Sequence, residues 1–296
     1  MNKDKIYILE DRGLLYISGD DTEEFLQNLI TNDINNVSET QSCFASLLSP
    51  QGKYLFDFIV IKHKQGYFLD CEKKQIDSLF KQLSLYKLRS KIEITNLSNE
   101  FVVAVISYKK FLSLENSKDK QGHTVKFRED TLILDPRSKL LGARLIINLE
   151  KLYLSIKKLG LKSSNQSEYN LLSHKLGIPQ LETAKLQNKI FGIECNFDEL
   201  NGIDFKKGCY VGQENTARIK LKNKLSKRLL PIKVIEGKLS ENEKIYNNNI
   251  EIGKILISND YPFGLIKYQD ENFDKDQTFK SENGSFKIFI PPWLKI

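Results

Sequence analysis

The chain has 296 residues, 40% of them hydrophobic and 28% charged, with a net charge of +7. That length supports a sizeable core and two or three domains, and the composition is ordinary for a globular protein. The longest apolar run, Phe101 to Ile106, has six residues, which excludes a membrane-spanning helix of roughly 18.

The N-terminal stretch MNKDKIYILEDRG has no apolar signal core, and it is neither Arg-rich nor acid-poor, so a cytoplasmic protein is expected. Cys43, Cys71, Cys195 and Cys209 show no CxxC spacing, which argues against a zinc ribbon or a self-contained iron–sulfur site. His63, His123 and His174 are scattered without metal-ligand spacing.

In chain order, Ile6 to Ile17 alternates like strand, with Gly13 expected to break it into a hairpin. Ser18 to Thr22 reads as a turn and helix cap, and the following helix places Phe25, Leu26, Leu29 and Ile30 on one face before Thr31-Asn32-Asp33 closes it. Three strand-like runs follow between Cys43 and Cys71, split at Pro50-Gln51-Gly52 and Lys64-Gln65-Gly66. Ile76 to Leu85 is an amphipathic helix with Ile76, Leu79, Phe80 and Leu83 on one face. Further strands are expected near Ile92, at Phe101 to Ser107 and at Thr131 to Leu134, with a polar loop over Ser113 to His123. Helices laid on such a strand-rich sheet make the fold class α+β.

From Lys151 the chain turns helical, and the helix ending at Leu176 is stopped by Gly177-Ile178-Pro179. Gly202 to Phe205 reads as a strand leading into KKGCYVGQE, Lys206 to Glu214, with a helix from Gln213 onward. Gly208 and Gly212 bracket this turn, which presents Cys209. A free thiol near pKa 8.5 is only about 3% thiolate at neutral pH, and half-ionising it takes roughly 2 kcal/mol. A helix N-terminus supplies about 0.3–1 kcal/mol, and Lys206 and Lys207 are placed to add the rest. The alternative is a small buried residue in a strand-turn-helix joint.

Between Lys206 and Arg228 stand eight basic residues and one acidic residue, Glu214, a local excess equal to that of the whole chain. Such a run is either a solvated basic helix or an anion site beside Cys209. After Arg228, short alternating runs separated by Gly, Asn and Pro predict a small β-barrel. Trp293, after two prolines, reads as a packing anchor.

The string Lys207 to Glu214 resembles, at every position, the KGCYVGQE signature of the YgfZ family, folate-binding proteins of iron–sulfur cluster assembly related to the glycine-cleavage T-protein. Glu194, Asn196 and Asp198 upstream, Thr31-Asn32-Asp33, Asp135-Pro136-Arg137 and Leu141 to Arg144 also match the family, from Ile8 to about Tyr268. The resemblance implies a three-lobed T-protein-like α+β fold around a central folate pocket. It divides the chain into a folate-binding domain over 1–145, a second α+β segment with the cysteine loop over 146–224, and a C-terminal β-barrel over 225–296.

It further implies an accessory factor that matures or repairs [4Fe–4S] proteins, tRNA-thiolating radical-SAM enzymes among them. Its partners would be iron–sulfur assembly factors and their client proteins. Cys209 would be the functional thiol, able to hold iron, a cluster or a persulfide transiently. Lys207 would lower its pKa, and Gln213 and Glu214 would fix the loop. Arg12, Asn32, Asp33, Tyr169 and Lys206 are the residues expected to face folate or tetrahydrofolate.

The sequence departs from the relatives in three places. Arg12 replaces one of two aromatics flanking the folate, Ser173 stands at an arginine position, and Lys175 stands where T-proteins have a glutamate. Lysine only donates, so it cannot pair with an aminopyrimidine edge as a carboxylate does. A T-protein-like aminomethyl- or methyltransferase, with Asp77 as its carboxylate, is the alternative. A tRNA-binding module working through the basic stretch is another, with weak, salt-dependent RNA binding at most.

Overall fold

A computed structural model describes residues 1–222, 225–268, 273–274 and 277–294. The chain forms two compact units interleaved in sequence. Met1–Leu48, Phe56–Tyr169 and Leu200–Val211 make the first; Ser49–Leu55, Asn170–Glu199 and Gly212–Ile296 make the second. These borders cut across the 1–145, 146–224 and 225–296 division. The α+β class and the C-terminal barrel are as expected.

The elements follow in chain order. β1 (Lys5–Leu9), β2 (Arg12–Ser18), α1 (Thr22–Leu29), β3 (Cys43–Leu48), β4 (Tyr54–His63), β5 (Gly66–Glu72), α2 (Ile76–Lys87) and β6 (Glu93–Asn96) come first. Then come β7 (Phe101–Ile106), α3 (Tyr108–Leu112), β8 (Thr124–Phe127), β9 (Asp130–Leu134), β10 (Ala143–Asn148), α4 (Leu152–Leu159), β11 (Lys162–Ser164) and α5 (Gln166–Lys175). The last are α6 (Gln213–Leu221), β12 (Arg228–Gly237), β13 (Lys244–Asn247), β14 (Ile250–Ile257), β15 (Phe263–Ile266), β16 (Phe279–Lys280) and β17 (Gly284–Ile288).

In the first unit, one sheet runs β11-β1-β7-β10-β9-β8 and a second runs β3-β4-β5-β2-β6. β1 and β2 therefore belong to different sheets, and the hairpin expected over Ile6 to Ile17 does not form. β1 pairs with β7, Ile6 opposite Ile106, and β2 pairs with β5, Gly13 opposite Cys71. Gly13 lies inside β2, where an added Cβ would sit 2.6 Å from the Ile76 side chain; it makes room for α2 rather than for a turn. Phe80 is also misplaced by its periodicity: Ile76, Leu79 and Leu83 are buried, but Phe80 is 37% exposed.

Alternation decides what each face of the first sheet carries. Ala104 and Ile106, Leu132 and Leu134, and Ala143, Leu145 and Ile147 pack on one face with Phe111 and Leu159. The intervening residue of β10 is Arg144, which is fully buried. Arg144 Nη1 donates to Asp70 Oδ2 at 2.8 Å, its Nε to Asp135 Oδ2 at 2.9 Å, and its Nη2 to the Tyr169 hydroxyl at 3.0 Å. Arg12 Nε donates to the other Asp70 oxygen at 2.7 Å, and Arg137 grips Asp135 through Nε and Nη2 at 3.0 and 2.8 Å. Three arginines and two aspartates thus join the two sheets through buried charge-assisted hydrogen bonds, of which the Arg137–Asp135 pair is bidentate.

The second unit holds the closed barrel β12-β15-β14-β13-β16-β17. Ile232, Ile245, Ile255, Ile266, Phe279 and Phe286 fill its core, as interior positions of a small barrel require. Trp293 packs partly against that core, and its Nε1 donates to Leu176 O at 2.7 Å. Gly177 beside it, at φ +72, would put a Cβ 2.4 Å from Pro291.

Asp70→Ala leaves Arg12 charged and buried without a carboxylate partner and Arg144 with Asp135 alone. The expected cost is about 3–5 kcal/mol, read as a fall in thermal midpoint of roughly 6–20 °C. Burial opposes ionisation of Asp135, but Arg137 and Arg144 outweigh it and hold the carboxyl well below the usual range. Its depressed folded pKa contributes stability that is fully present above about pH 4 and lost as the pH falls below it. Denaturant titrations on either side of pH 4 should show that loss, and Asp135→Asn should flatten it.

Candidate functional site

The site is built on the C-terminus of α1. The helix ends where Ile30 turns extended, at ψ 154°, and its backbone N–H returns to Leu26 O. That leaves the carbonyls of the last turn without intrahelical partners. The loop from Asn201 to Val211 satisfies them. Lys207 Nζ donates to Gln27 O at 2.7 Å, Ile30 O at 2.7 Å and Asn32 O at 2.9 Å, and Val211 N donates to Asn28 O at 3.2 Å. All three ammonium hydrogens are used, at the helix end whose dipole favours a cation.

Lys207 is 8% exposed and lies over the Tyr210 ring at 5.1 Å. Burial pushes its pKa down to about 8, against the pull of Asp33, Cys43 and Asp204, so it is an ammonium at neutral pH. The rest of the loop is sewn to the Thr31-Asn32-Asp33 turn. Asp204 N donates to Thr31 O, Thr31 Oγ1 to Gly202 O, and Asn32 Nδ2 to both Asn201 O and Phe44 O. Gly202 to Phe205 is not a strand, contrary to expectation, because its backbone groups pair with this turn instead of a sheet. Gly208 has open space around it, whereas Gly212, at φ +82, caps α6 in the left-handed region where glycine is favoured.

The predicted thiol stands out by exposure: Cys43, Cys71 and Cys195 are buried and Cys209 is exposed. Burial pushes the Cys43 thiol up to about 12 and raises Cys71 further, so both stay protonated. Cys209 sits between Lys207, which turns inward, and Tyr210, which is also buried. The pinned neighbours make its direction outward.

The other predicted residues divide differently. Lys206 is exposed, its N–H held by Asp204 Oδ1 at 2.7 Å. Gln213 opens α6, and Glu214 is exposed and pairs with Arg218 one turn on. Asp33 takes its hydrogen bonds from Gln27 and Asn35. Asn32 helps line a cavity of about 520 Å³ with Gln41, Cys43, Phe44, Pro136 and Asn201. Arg12 and Tyr169 lie in the buried arginine–aspartate network, 7% and 1% exposed. Asp77 and Lys175 are exposed, and Ser173 is buried, donating to Ile178 O. Asn196 and Asp198 serve the second unit: Asn196 holds Leu229 O and Arg228, and Asp198 pairs with Lys220.

The basic stretch is less basic than it reads. Arg218, Lys220 and Arg228 pair with Glu214, Asp198 and Glu199, and Lys207 is internal; Lys224 lies outside the described residues. Among the described residues, no group of three or more His, Cys, Asp or Glu is placed to hold a metal ion, and no helix is long and apolar enough to cross a membrane. Sequence reasoning gave no role to Asp70, Asp135, Arg137 and Arg144. The available signal was an arginine embedded in the apolar run of β10.

No family model matches the chain. Among curated proteins, an "Iron-sulfur cluster assembly factor IBA57 homolog, mitochondrial" of Neurospora crassa is 31% identical over 237 residues, 75% of this chain and 52% of that protein. The protein of the same name from Dictyostelium discoideum is 30% identical over 251 residues, 76% of this chain and 61% of its own length. The chain thus spans a little over half the length of these relatives. Among solved structures, the glycine cleavage system aminomethyltransferase T of Bartonella henselae superposes with a TM-score of 0.70 over 98% of this chain and 86% of that one, at 11% identity. The T-protein fold is therefore shared. The expectation of a cytoplasmic protein is overturned, since the homologues are named as mitochondrial. That expectation rested on the first dozen residues of a chain that covers only part of its relatives.

Alkylation of the native protein with iodoacetamide should label Cys209 and spare Cys43, Cys71 and Cys195, as peptide mass spectrometry would show. Cys209→Ser should leave stability within about 0.5 kcal/mol of the parent, as exposed substitutions do. Lys207→Met strands the α1 carbonyls and should cost about 2–3 kcal/mol in denaturant titration.

Proposed function

We propose that the chain is an accessory factor for the maturation or repair of [4Fe–4S] proteins, tRNA-thiolating radical-SAM enzymes among its clients, with Cys209 as its working thiol. The observation that carries this reading is the exposure of Cys209 alone among four cysteines, on a loop whose neighbours are locked into the fold. The relatives' name, iron-sulfur cluster assembly factor, supports the iron–sulfur part of this reading. A soft thiolate suits iron and iron–sulfur chemistry, and a single ligand holds such cargo only with others supplied by a partner protein. Lys207 acts by position: its hydrogen bonds hold the loop still, so that Cys209 meets a partner at a defined place.

Three of the five residues that the resemblance assigns to folate are committed elsewhere in the first unit. Arg12 is committed to Asp70, the Tyr169 ring is buried with its hydroxyl on Arg144, and the Asn32 amide is spent on two carbonyls. No step of the proposed function runs through folate. Asp77, exposed on α2, gives the transferase reading no buried carboxylate, and the internal ion pairs of the basic stretch weaken the RNA reading.

The test is complementation of bacteria lacking their own YgfZ, with a radical-SAM tRNA-thiolation product as readout. The wild-type chain should restore the product, and Cys209→Ser should lose at least about tenfold, the scale of about 1.4 kcal/mol. Equal rescue by both would make the thiol structural, and no rescue by folded wild type would overturn the role.

A further inference from the structure

Asn32 and Asn201, which tie the loop after Leu200 to the turn after α1, also wall the cavity of about 520 Å³ in the first unit. That volume falls in the range of small-molecule sites. Cys43, Phe44 and Pro136 give it a buried, apolar side, and Asn36, Lys120 and Gln121 stand exposed at its edge.

Three of its carboxamides have spent donors and open acceptors. Gln41 Nε2 donates to Ser42 O and Gln121 O, both at 3.0 Å, Asn201 Nδ2 donates to Pro136 O at 3.2 Å, and Gln121 Nε2 reaches the same carbonyl at 3.5 Å. Their side-chain oxygens accept no hydrogen bond among the described residues. An amide oxygen so placed can take an N–H or O–H from a ligand.

The charge at the cavity has one sign. Lys120 is the charged residue of the lining, no carboxylate lines it, and Lys120 forms no ion pair among the described residues. Immediately behind the wall, Lys207 Nζ donates to Asn32 O at 2.9 Å. That ammonium is buried, and among the described residues its hydrogen bonds go to carbonyls and to no carboxylate. Its charge reaches the apolar side, where it draws the Cys43 thiol down against the larger push of burial. Asp33 and Asp204 are the carboxylates near Lys207. Neither lines the cavity: Asp33 accepts from Gln27 and Asn35, and Asp204 from Lys206 N. Arg137, over the Phe44 ring, is matched by Asp135.

We infer that this cavity binds a small organic anion that also carries N–H or O–H donors, either a mononucleotide or an acidic residue with its flanking amides. The phosphate or carboxylate lies toward Lys120, within the field of Lys207, and the donors meet the amide oxygens of Gln41, Gln121 and Asn201. The site is separate from the role of the thiol and does not depend on it.

The probes are AMP and acetyl-aspartyl-amide, each titrated calorimetrically beside an uncharged counterpart, adenosine and acetyl-asparaginyl-amide. At least one anion should bind more tightly than about 1 mM and at least about tenfold better than its counterpart. Which of the two does so tells phosphate from carboxylate recognition. Lys120→Glu should abolish the preference. Lys233→Glu, an equal change of net charge at an exposed position of β12, should leave it intact, which separates a site from the general basicity of the chain. Gln121→Leu, at an exposed position, should weaken binding at least about threefold, the scale of one hydrogen bond, with an unchanged thermal midpoint. Binding of neither anion below about 1 mM, or undiminished binding by Lys120→Glu or Gln121→Leu, overturns the inference. Cys209→Ser protein should bind the anion as the parent does, so failure of the thiol reading in complementation is told apart from failure of this site.

Discussion

The local structure around Cys209 hangs on one ammonium group. Within the first unit, Lys207 donates to Gln27 O and Ile30 O at the C-terminus of α1 and to Asn32 O just beyond it, answering the problem that every helix end poses to its own carbonyls. The same contact ties the loop to the turn at Thr31 to Asp33, and Cys209 stands exposed two residues on. Lys207, read from the sequence as a modulator of the thiol, donates all three ammonium hydrogens to backbone carbonyls. Its charge serves the helix end, and its backbone serves the thiol.

Behind that loop lies a framework of a different kind. Arg12, Asp70, Arg144, Asp135 and Arg137 form a buried ionic chain between the two sheets. Such a network penalises any other pairing of the sheets, because each shifted register would strand a buried charge. The first unit therefore rests on a framework that tolerates little movement.

Much of this was legible in order along the chain. The three strands between Cys43 and Cys71, the α1 face, the stop at Gly177, the helix at Gln213 and the C-terminal barrel all follow from local periodicity and turn chemistry. Trp293 reads correctly as a packing anchor. The failures share a cause. β1 and β2 look like a hairpin because each alternates, yet alternation says which face a residue takes and nothing about which strand lies alongside. Phe80 fits the helical stripe of α2, but the buried face is narrower than the stripe. Gly202 to Phe205 looks like a strand, but its hydrogen bonds go to a turn and no strand forms.

The candidate site divides along the same line. The residues from Lys206 to Glu214 determine by themselves that a glycine-capped helix follows a turn carrying a cysteine, since φ at Gly212 and the start of α6 are local matters. Only the tertiary structure decided that Lys207 points inward, that Cys43, Cys71 and Cys195 are buried while Cys209 is not, that Arg12 and Tyr169 belong to an ionic core, and that Asn32 and Asn201 wall one cavity. Those facts depend on which distant segments come together. Side-chain burial and charge pairing are properties of that assembly, which no single stretch of chain contains.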